Sequence, residues 1–173
     1  MEVFILFNNV KIEEVKSIEK HLDQPSELLV MVVEDGASIG FLPPMKFSEA
    51  KKYWETLLKP EVILFIAKLD NEIVGSVQLH LCTKQNGSHR GEIGKLITHP
   101  HFRRNGIGRL LMQAAEERTK QEGRTLLVLD TREGDPSNHL YTSIGFIKSG
   151  RIPNYAKSAD GKLHATILYH KSF

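Results

Sequence analysis

The sequence predicts a mixed α+β fold, a single central and mostly antiparallel sheet with one parallel strand–helix–strand crossover near its middle. Two observations carry this reading. The stretch "EVILFIAKLDNEIVGSVQLHLC" holds two apolar runs around the turn Asp70-Asn71, the pattern of an antiparallel hairpin. Further on, a strand over Glu92–Thr98 leads through a glycine turn into a helix and then into the apolar run Thr125–Leu129. Strand, helix and buried strand in that order make a βαβ unit, which takes a right-handed crossover.

The elements follow in order. Glu2–Phe7 reads as a first strand. Lys11–Glu34 reads as helical, with Val15, Ile18, Leu22, Leu28, Leu29, Val32 and Val33 at helical spacing and Gln24-Pro25 dividing it in two. "EDGASIGFLPP" is a loop punctuated by glycine and proline. Ser48 is the expected N-cap of a helix holding Ala50, Tyr53, Trp54, Leu57 and Leu58. In the hairpin, Val62–Ala67 is continuously apolar, while Val77, Leu79 and Leu81 alternate with Gln78, His80 and Cys82, which predicts one wetter face. Pro100 stops the Glu92–Thr98 strand. In the following helix Ile107, Leu110, Leu111, Ala114 and Ala115 form the buried stripe, and Gly123 caps its end. Thr125–Leu129 predicts a strand covered on both faces. Asp135 as N-cap and Pro136 as first helical residue open a short helix through Tyr141 that Gly145 ends. Strands around Phe146–Ser149 and His164–His170 finish the chain.

Bulk properties narrow the function. The 173 residues suit one domain, 1–173, and 40% hydrophobic content supports a real core. Charge is nearly balanced, 23 basic against 21 acidic residues for a net +2, which argues against nucleic acid as the main partner. Positive potential must be local, and "HFRRNGIGR" is the place for it. With Cys82 as the one cysteine, no intramolecular disulfide forms, which points to a reducing, cytoplasmic compartment. Acidic Glu2 ahead of the first apolar run, with no cleavage site after it, does not read as a signal peptide. No apolar stretch approaches the ~20 residues that span a membrane.

Arg103-Arg104-Asn105-Gly106-Ile107-Gly108 spells R-x-x-G-x-G. It is neither a P-loop nor a full dinucleotide fingerprint. A glycine turn just before a helix exposes successive N–H groups, and the helix adds partial positive charge at its N-terminus. Two guanidinium groups can reach phosphate oxygens, so a diphosphate suits the turn. A glycine turn with solvated arginines fits the same six residues.

The strand "EIGKLITHP", the turn "RRNGIG", the helix and the later "DPSNHLYTSIGF" together resemble the GCN5-related N-acetyltransferase (GNAT) family. Its acetyl-CoA motif is Q/R-x-x-G-x-G/A between a strand and a helix. A second segment, with an asparagine and a tyrosine ahead of a G-F pair, corresponds here to Asn138, Tyr141, Gly145 and Phe146. "GASIGF", "QLHLCTKQNG", "LLVLDTREG" and "IPNYAKSADGKLHATILYHK" look like stretches of tabtoxin-resistance-type acetyltransferases within that family.

The resemblance implies a GNAT-like sheet with helices on both faces, and transfer of an acetyl group from acetyl-CoA to a primary amine. It implies backbone contacts to the cofactor diphosphate from Arg104, Asn105, Gly106, Ile107 and Gly108, with a side-chain contact from Arg103. The pantetheine arm would run beside Leu96, Ile97 and Thr98 like an added strand. Asn138 would either bond that arm or cap its helix. Tyr141, a phenol with an ordinary pKa near ~10, is the candidate acid for the leaving thiolate. Two carboxylates compete as base: Asp130, at the end of "LLVLD", ranks ahead of Glu92, at the start of its strand. Glu34 and Asp35 in the loop would attract a cationic amine. His89, His99 and His101 lack metal-ligand spacing, so no metal is expected. The acceptor expected is a small molecule, amino-acid-like or antibiotic-like, with a protein N-terminus or lysine as the other option and a non-catalytic CoA-binding sensor as a third. Monomer and homodimer both remain open.

Overall fold

The computed structural model describes residues 9–17 and 22–173. The first strand expected at Glu2–Phe7 lies outside them, as does Ile18. The described strands are β1 (Lys11–Val15), β2 (Val62–Leu69), β3 (Glu72–Leu81), β4 (Arg90–Thr98), β5 (Leu126–Arg132), β6 (Ile147–Lys157) and β7 (Leu163–Ser172). The helices are α1 (Asp23–Glu34), α2 (Phe47–Glu55), α3 (Ile107–Gln121) and α4 (Ser137–Ser143). The strands form one sheet in the order β1-β2-β3-β4-β5-β7-β6. Every pairing is antiparallel except β4–β5. Helix α3 makes the crossover between those two parallel strands, as the sequence predicted.

Local expectations needed correction. Lys11–Val15 is strand, where the sequence suggested helix: it lies along β2 as an edge, its Glu13 carboxylate 2.7 Å from the Lys68 ammonium. Helix α1 starts at Asp23, and Pro25 sits in its first turn, where a missing N–H leaves no bond unmade, so the proline begins the helix and does not divide one. Lys46, not Ser48, is the N-cap of α2; its N–H donates to the Glu49 carboxylate at 3.0 Å. Leu57 and Leu58 lie beyond that helix. In α3 the buried stripe uses Met112, while Leu110 is 37% exposed. β5 is not covered on both faces: Leu127 and Leu129 are buried and Asp130 is exposed. Asp135 does not cap α4, because its carboxylate accepts from Arg132 Nε at 2.9 Å. The last two strands run longer than expected because each satisfies the other's main chain across the β6–β7 hairpin.

Two cores hold the layers. One lies between the sheet and α3, where Leu79, Leu127 and Leu129 meet Ile107, Leu111 and Met112. Gly75 makes that close packing possible, since a Cβ there would stand 2.9 Å from the Ile97 carbonyl oxygen and 3.0 Å from Ile107. The other core packs Leu29, Val32 and Val33 of α1 and Trp54 of α2 on Leu64 and Ile66. Trp54 is 1% exposed, and its indole N–H donates to the Pro25 carbonyl at 2.9 Å, which locks α2 to the start of α1. Among the described residues no helix is long and apolar enough to cross a membrane.

Candidate active site

The sheet opens at its one parallel pair. β4 and β5 are in register only at Arg90↔Leu126, Gly91↔Leu127 and Glu92↔Val128. Beyond Glu92 the β4 edge that faces β5 has no strand partner, although Ile97 and Thr98 still pair with β3 on the other side. Of the cofactor candidates on this strand, the Ile97 side chain is buried in the second core and those of Leu96 and Thr98 are half-buried, which leaves main-chain groups as what the edge offers.

The glycine turn stands at the end of β4. A short helical turn over Pro100–Phe102 is followed by Arg104 at φ +63 and Gly106 at φ +79, and α3 begins at Ile107. The Asn105 side chain ties the turn by donating to the Phe102 and Arg103 carbonyls, both at 3.1 Å. The first bond of the helix is Leu110 N–H to the Gly106 carbonyl, so among the described residues the N–H groups of 104–109 have no protein acceptor. A row of such donors at a helix N-terminus is an anion site. A Cβ at Gly108 would stand 3.2 Å from Leu140 Cδ2 and 4.0 Å from Thr98 Oγ1, which places the turn against both α4 and β4.

Tyr141 comes from α4 and is 5% exposed, its ring 5.9 Å from that of Tyr169 and 6.0 Å from that of Phe146. Burial pushes its phenol well above the usual value, and the Asp130 and Asp135 carboxylates add to the shift, so the group holds its proton. Asp130 stands on β5 two residues past the last β4–β5 pair and accepts from the Thr166 hydroxyl at 2.7 Å. Asn138 makes three hydrogen bonds within the protein. Its Nδ2 donates to the Arg132 and Asp135 carbonyls, both at 2.9 Å, and its Oδ1 accepts from the Tyr169 hydroxyl at 2.9 Å. With both amide hydrogens used, Asn138 fixes α4 against β5 and β7, and its Oδ1 keeps one lone pair beyond the Tyr169 bond.

The strand registers put Gln78, His80, Glu92, Val128 and Asp130 on the sheet face that carries α1 and α2. Those helices cover β2 and β3 and reach β4, so polar side chains over β4 and β5 become the floor of a cleft. Gln78 is fully buried: its Nε2 donates to Tyr53 Oη at 2.7 Å, and its Oε1 accepts from His80 Nε2 at 3.0 Å. The face read as wetter is thus polar but roofed by α2. Burial lowers the His80 pKa, while Glu92 pulls it back up. Lys95 was not anticipated. It sits on a bulge of β4, where Ser76↔Ile97 and Gln78↔Gly94 enclose an extra residue, at φ +49. Its ammonium lies 5.7 Å from the centroid of Phe41 in the loop between α1 and α2.

The acidic loop residues have other duties. Glu34 Oε1 accepts from Met45 N–H at 2.8 Å and closes the loop on itself. Asp35 Oδ2 lies 2.6 Å from Arg103 Nη1, so the arginine expected at phosphate is paired with the aspartate expected at the amine. Arg132 staples the cleft rim, donating from Nε to Asp135, from Nη1 to Ser158 Oγ at 2.9 Å and from Nη2 to the Gly36 carbonyl at 3.3 Å. A cavity of about 250 Å³ opens there, lined by Gly40, Phe41, Arg132, Lys157 and Ser158 among others. Among the described residues no group of three or more His, Cys, Asp or Glu side chains is placed to hold a metal ion.

A mostly antiparallel sheet opened at its one parallel pair, with α3 crossing between those strands, is a fold shared with acetyltransferase domains. The chain belongs to the GNAT acetyltransferase family, whose sequence pattern matches residues 43–146. It is 34% identical over 104 residues to an uncharacterised N-acetyltransferase of the hisH-hisA intergenic region of Azospirillum brasilense, a match spanning 58% of this chain and 62% of that one. The fold is that of a GNAT-family acetyltransferase from Streptococcus pneumoniae, with TM-score 0.80 and 20% identity over 95% of this chain and 99% of that one. It is also that of yncA from Salmonella typhimurium, solved with its cofactor acetyl-CoA, with TM-score 0.78 and 15% identity over 95% and 94% of the two chains. A ribosomal-protein-alanine N-acetyltransferase from Brucella melitensis is similar too, with TM-score 0.80 and 18% identity over 94% and 99%.

Proposed function

We propose that this protein moves an acetyl group from acetyl-CoA to the primary amine of a small, amino-acid-like or antibiotic-like acceptor, as the tabtoxin-resistance-type resemblance suggests. The observation that carries the reading is the pairing of a free N–H row at 104–109 with a protonated, buried Tyr141 and the exposed Asp130 across one strand gap. The N–H groups of Arg104, Asn105, Gly106, Ile107 and Gly108 hold the diphosphate, and the unpaired edge of β4 at Leu96, Ile97 and Thr98 holds the pantetheine arm. Bound acetyl-CoA supplies an activated acyl group. One proton of the attacking amine goes to Asp130, or to Glu92 through the cleft floor. The bond to nitrogen forms as the bond to sulfur breaks, and the Tyr141 hydroxyl donates to the departing sulfur. Asp35 competes with phosphate for the Arg103 guanidinium.

The test is turnover with a panel of amino acids, polyamines, aminoglycosides and peptides, followed by thiol release from acetyl-CoA. Release with small amines and not with peptides supports the reading. Release with peptides alone replaces it with a protein acetyltransferase. Binding of acetyl-CoA without turnover of any amine replaces it with a sensor.

A further inference from the structure

The cleft floor carries both signs of charge. Glu92 and Asp130 face it from β4 and β5, and Lys95 rises between the loop and the sheet. Lys95 is half-buried, yet among the described residues its ammonium makes neither a hydrogen bond nor an ion pair. Such a desolvated cation without an anion at contact distance is costly, and a partner carboxylate relieves the penalty. Its position is built. The β4 bulge holds the backbone at φ +49, a conformation that ordinary strand residues avoid, and turns this one side chain out of the strand alternation. On the loop side, Phe41 offers its ring face, and a Cβ at Gly40 would stand only 3.3 Å from Lys95 Nζ. Burial pulls the lysine below its ordinary pKa, and the Asp130 and Glu92 carboxylates act to keep it charged.

Of the cations that line the rim cavity, Arg132 is held by Asp135, Ser158 and Gly36, while Lys157 stands on the β6 side of it. Gly40 and Phe41, which flank the Lys95 ammonium, also line the cavity at the rim, so Lys95 lies behind one wall of that cavity.

Resting on the small-acceptor reading above, we propose that Lys95 is a specificity-determining residue that binds a carboxylate of the acceptor, so that the enzyme selects zwitterionic, amino-acid-type amines, with their ammonium end toward Glu92 and Asp130. A polycation has no counterpart for Lys95 and meets its repulsion. An amine whose carboxylate is masked loses one charge-assisted bond.

The experiment compares free amino acids with their carboxamides as acceptors at saturating acetyl-CoA, using the wild-type chain, Lys95→Gln and Lys95→Arg. The wild type is expected to prefer the free acid by at least about tenfold in kcat/KM, the scale of one hydrogen bond to a charged group. Lys95→Gln is expected to bring acid and amide to near equality, chiefly by raising KM for the acid, and Lys95→Arg to restore part of the preference. Equal use of acid and amide by the wild type overturns the proposal and leaves the small-acceptor reading standing. So does a Lys95→Gln effect that is the same on both acceptors, which would mark Lys95 as a counter-charge for the floor carboxylates. Turnover of peptides with none of small amines overturns both. Unchanged acetyl-CoA affinity by calorimetry shows that each variant is folded.

Discussion

The turn at 103–108 and the polar floor of the cleft do their work with different parts of the chain. The turn is contiguous. It offers main-chain N–H groups, and its side chains are secondary: Asn105 bonds its own loop, and Arg103 pairs with Asp35. The floor is assembled from distant side chains. Phe41 comes from a loop, Gln78 and His80 from β3, Glu92 and Lys95 from β4, and Asp130 from β5. A main-chain site tolerates almost any residue that keeps the backbone path. A side-chain site changes its ligand with single substitutions, so the turn suits a constant ligand and the floor a variable one.

Substitutions can break this contrast, beginning with the largest effect. Tyr141→Phe is expected to lower kcat by about 10²- to 10⁴-fold, the usual range for loss of a general acid, with KM for acetyl-CoA unchanged in steady-state assays. Because the folded environment raises the phenol pKa, the neutral donor form persists as the solution becomes basic. The rate should therefore show no fall assignable to tyrosine below about pH 10, its ordinary value. A wild-type profile falling near neutrality, with the fall abolished in the phenylalanine variant, would contradict the raised value.

Asp130→Asn is expected to cost about 10²-fold in kcat/KM, while Glu92→Gln costs less. The reverse order would transfer the base role to Glu92. Gly106→Ala tests the main-chain half. At φ +79 a Cβ meets no neighbour but strains the backbone by about 1–2 kcal/mol, so acetyl-CoA binding is expected to weaken about tenfold with kcat nearly kept. The smallest effect belongs to Asp35→Asn. Releasing Arg103 from an exposed ion pair, whose strength is screened, should lower KM for acetyl-CoA about two- to threefold. A KM that rises would mean that the pair itself shapes the turn.

The same contrast explains what the sequence made legible. Motif and helix N-terminus are neighbours along the chain, so the turn, α3 and the parallel crossover could be read directly, as could the β2–β3 hairpin. Asp130 stood out because it follows the apolar run Thr125–Leu129, although β5 does not end there but continues to Arg132. Lys95 was not, because its meaning comes from a bulge that exists only once β3 and β4 are in register. The protein partners of Asn138 and Asp35 were not legible, because those partners, Tyr169 and Arg103, lie 31 and 68 residues away along the chain. Lys11–Val15 was misread because Ile12 and Val15 stand at a helical spacing of three, whereas in the strand they fall on opposite faces, one toward each core.

The three residue pairs that join β4 to β5 also have a mechanical meaning. They are a short seam between two stiff plates, β1 to β4 on one side and β5, β7 and β6 on the other. A molecule laid along the open length of that seam acts as a splint as well as a reactant. The melting temperature should therefore climb with ligand concentration, and amide exchange should slow most in the strands on either side of the seam.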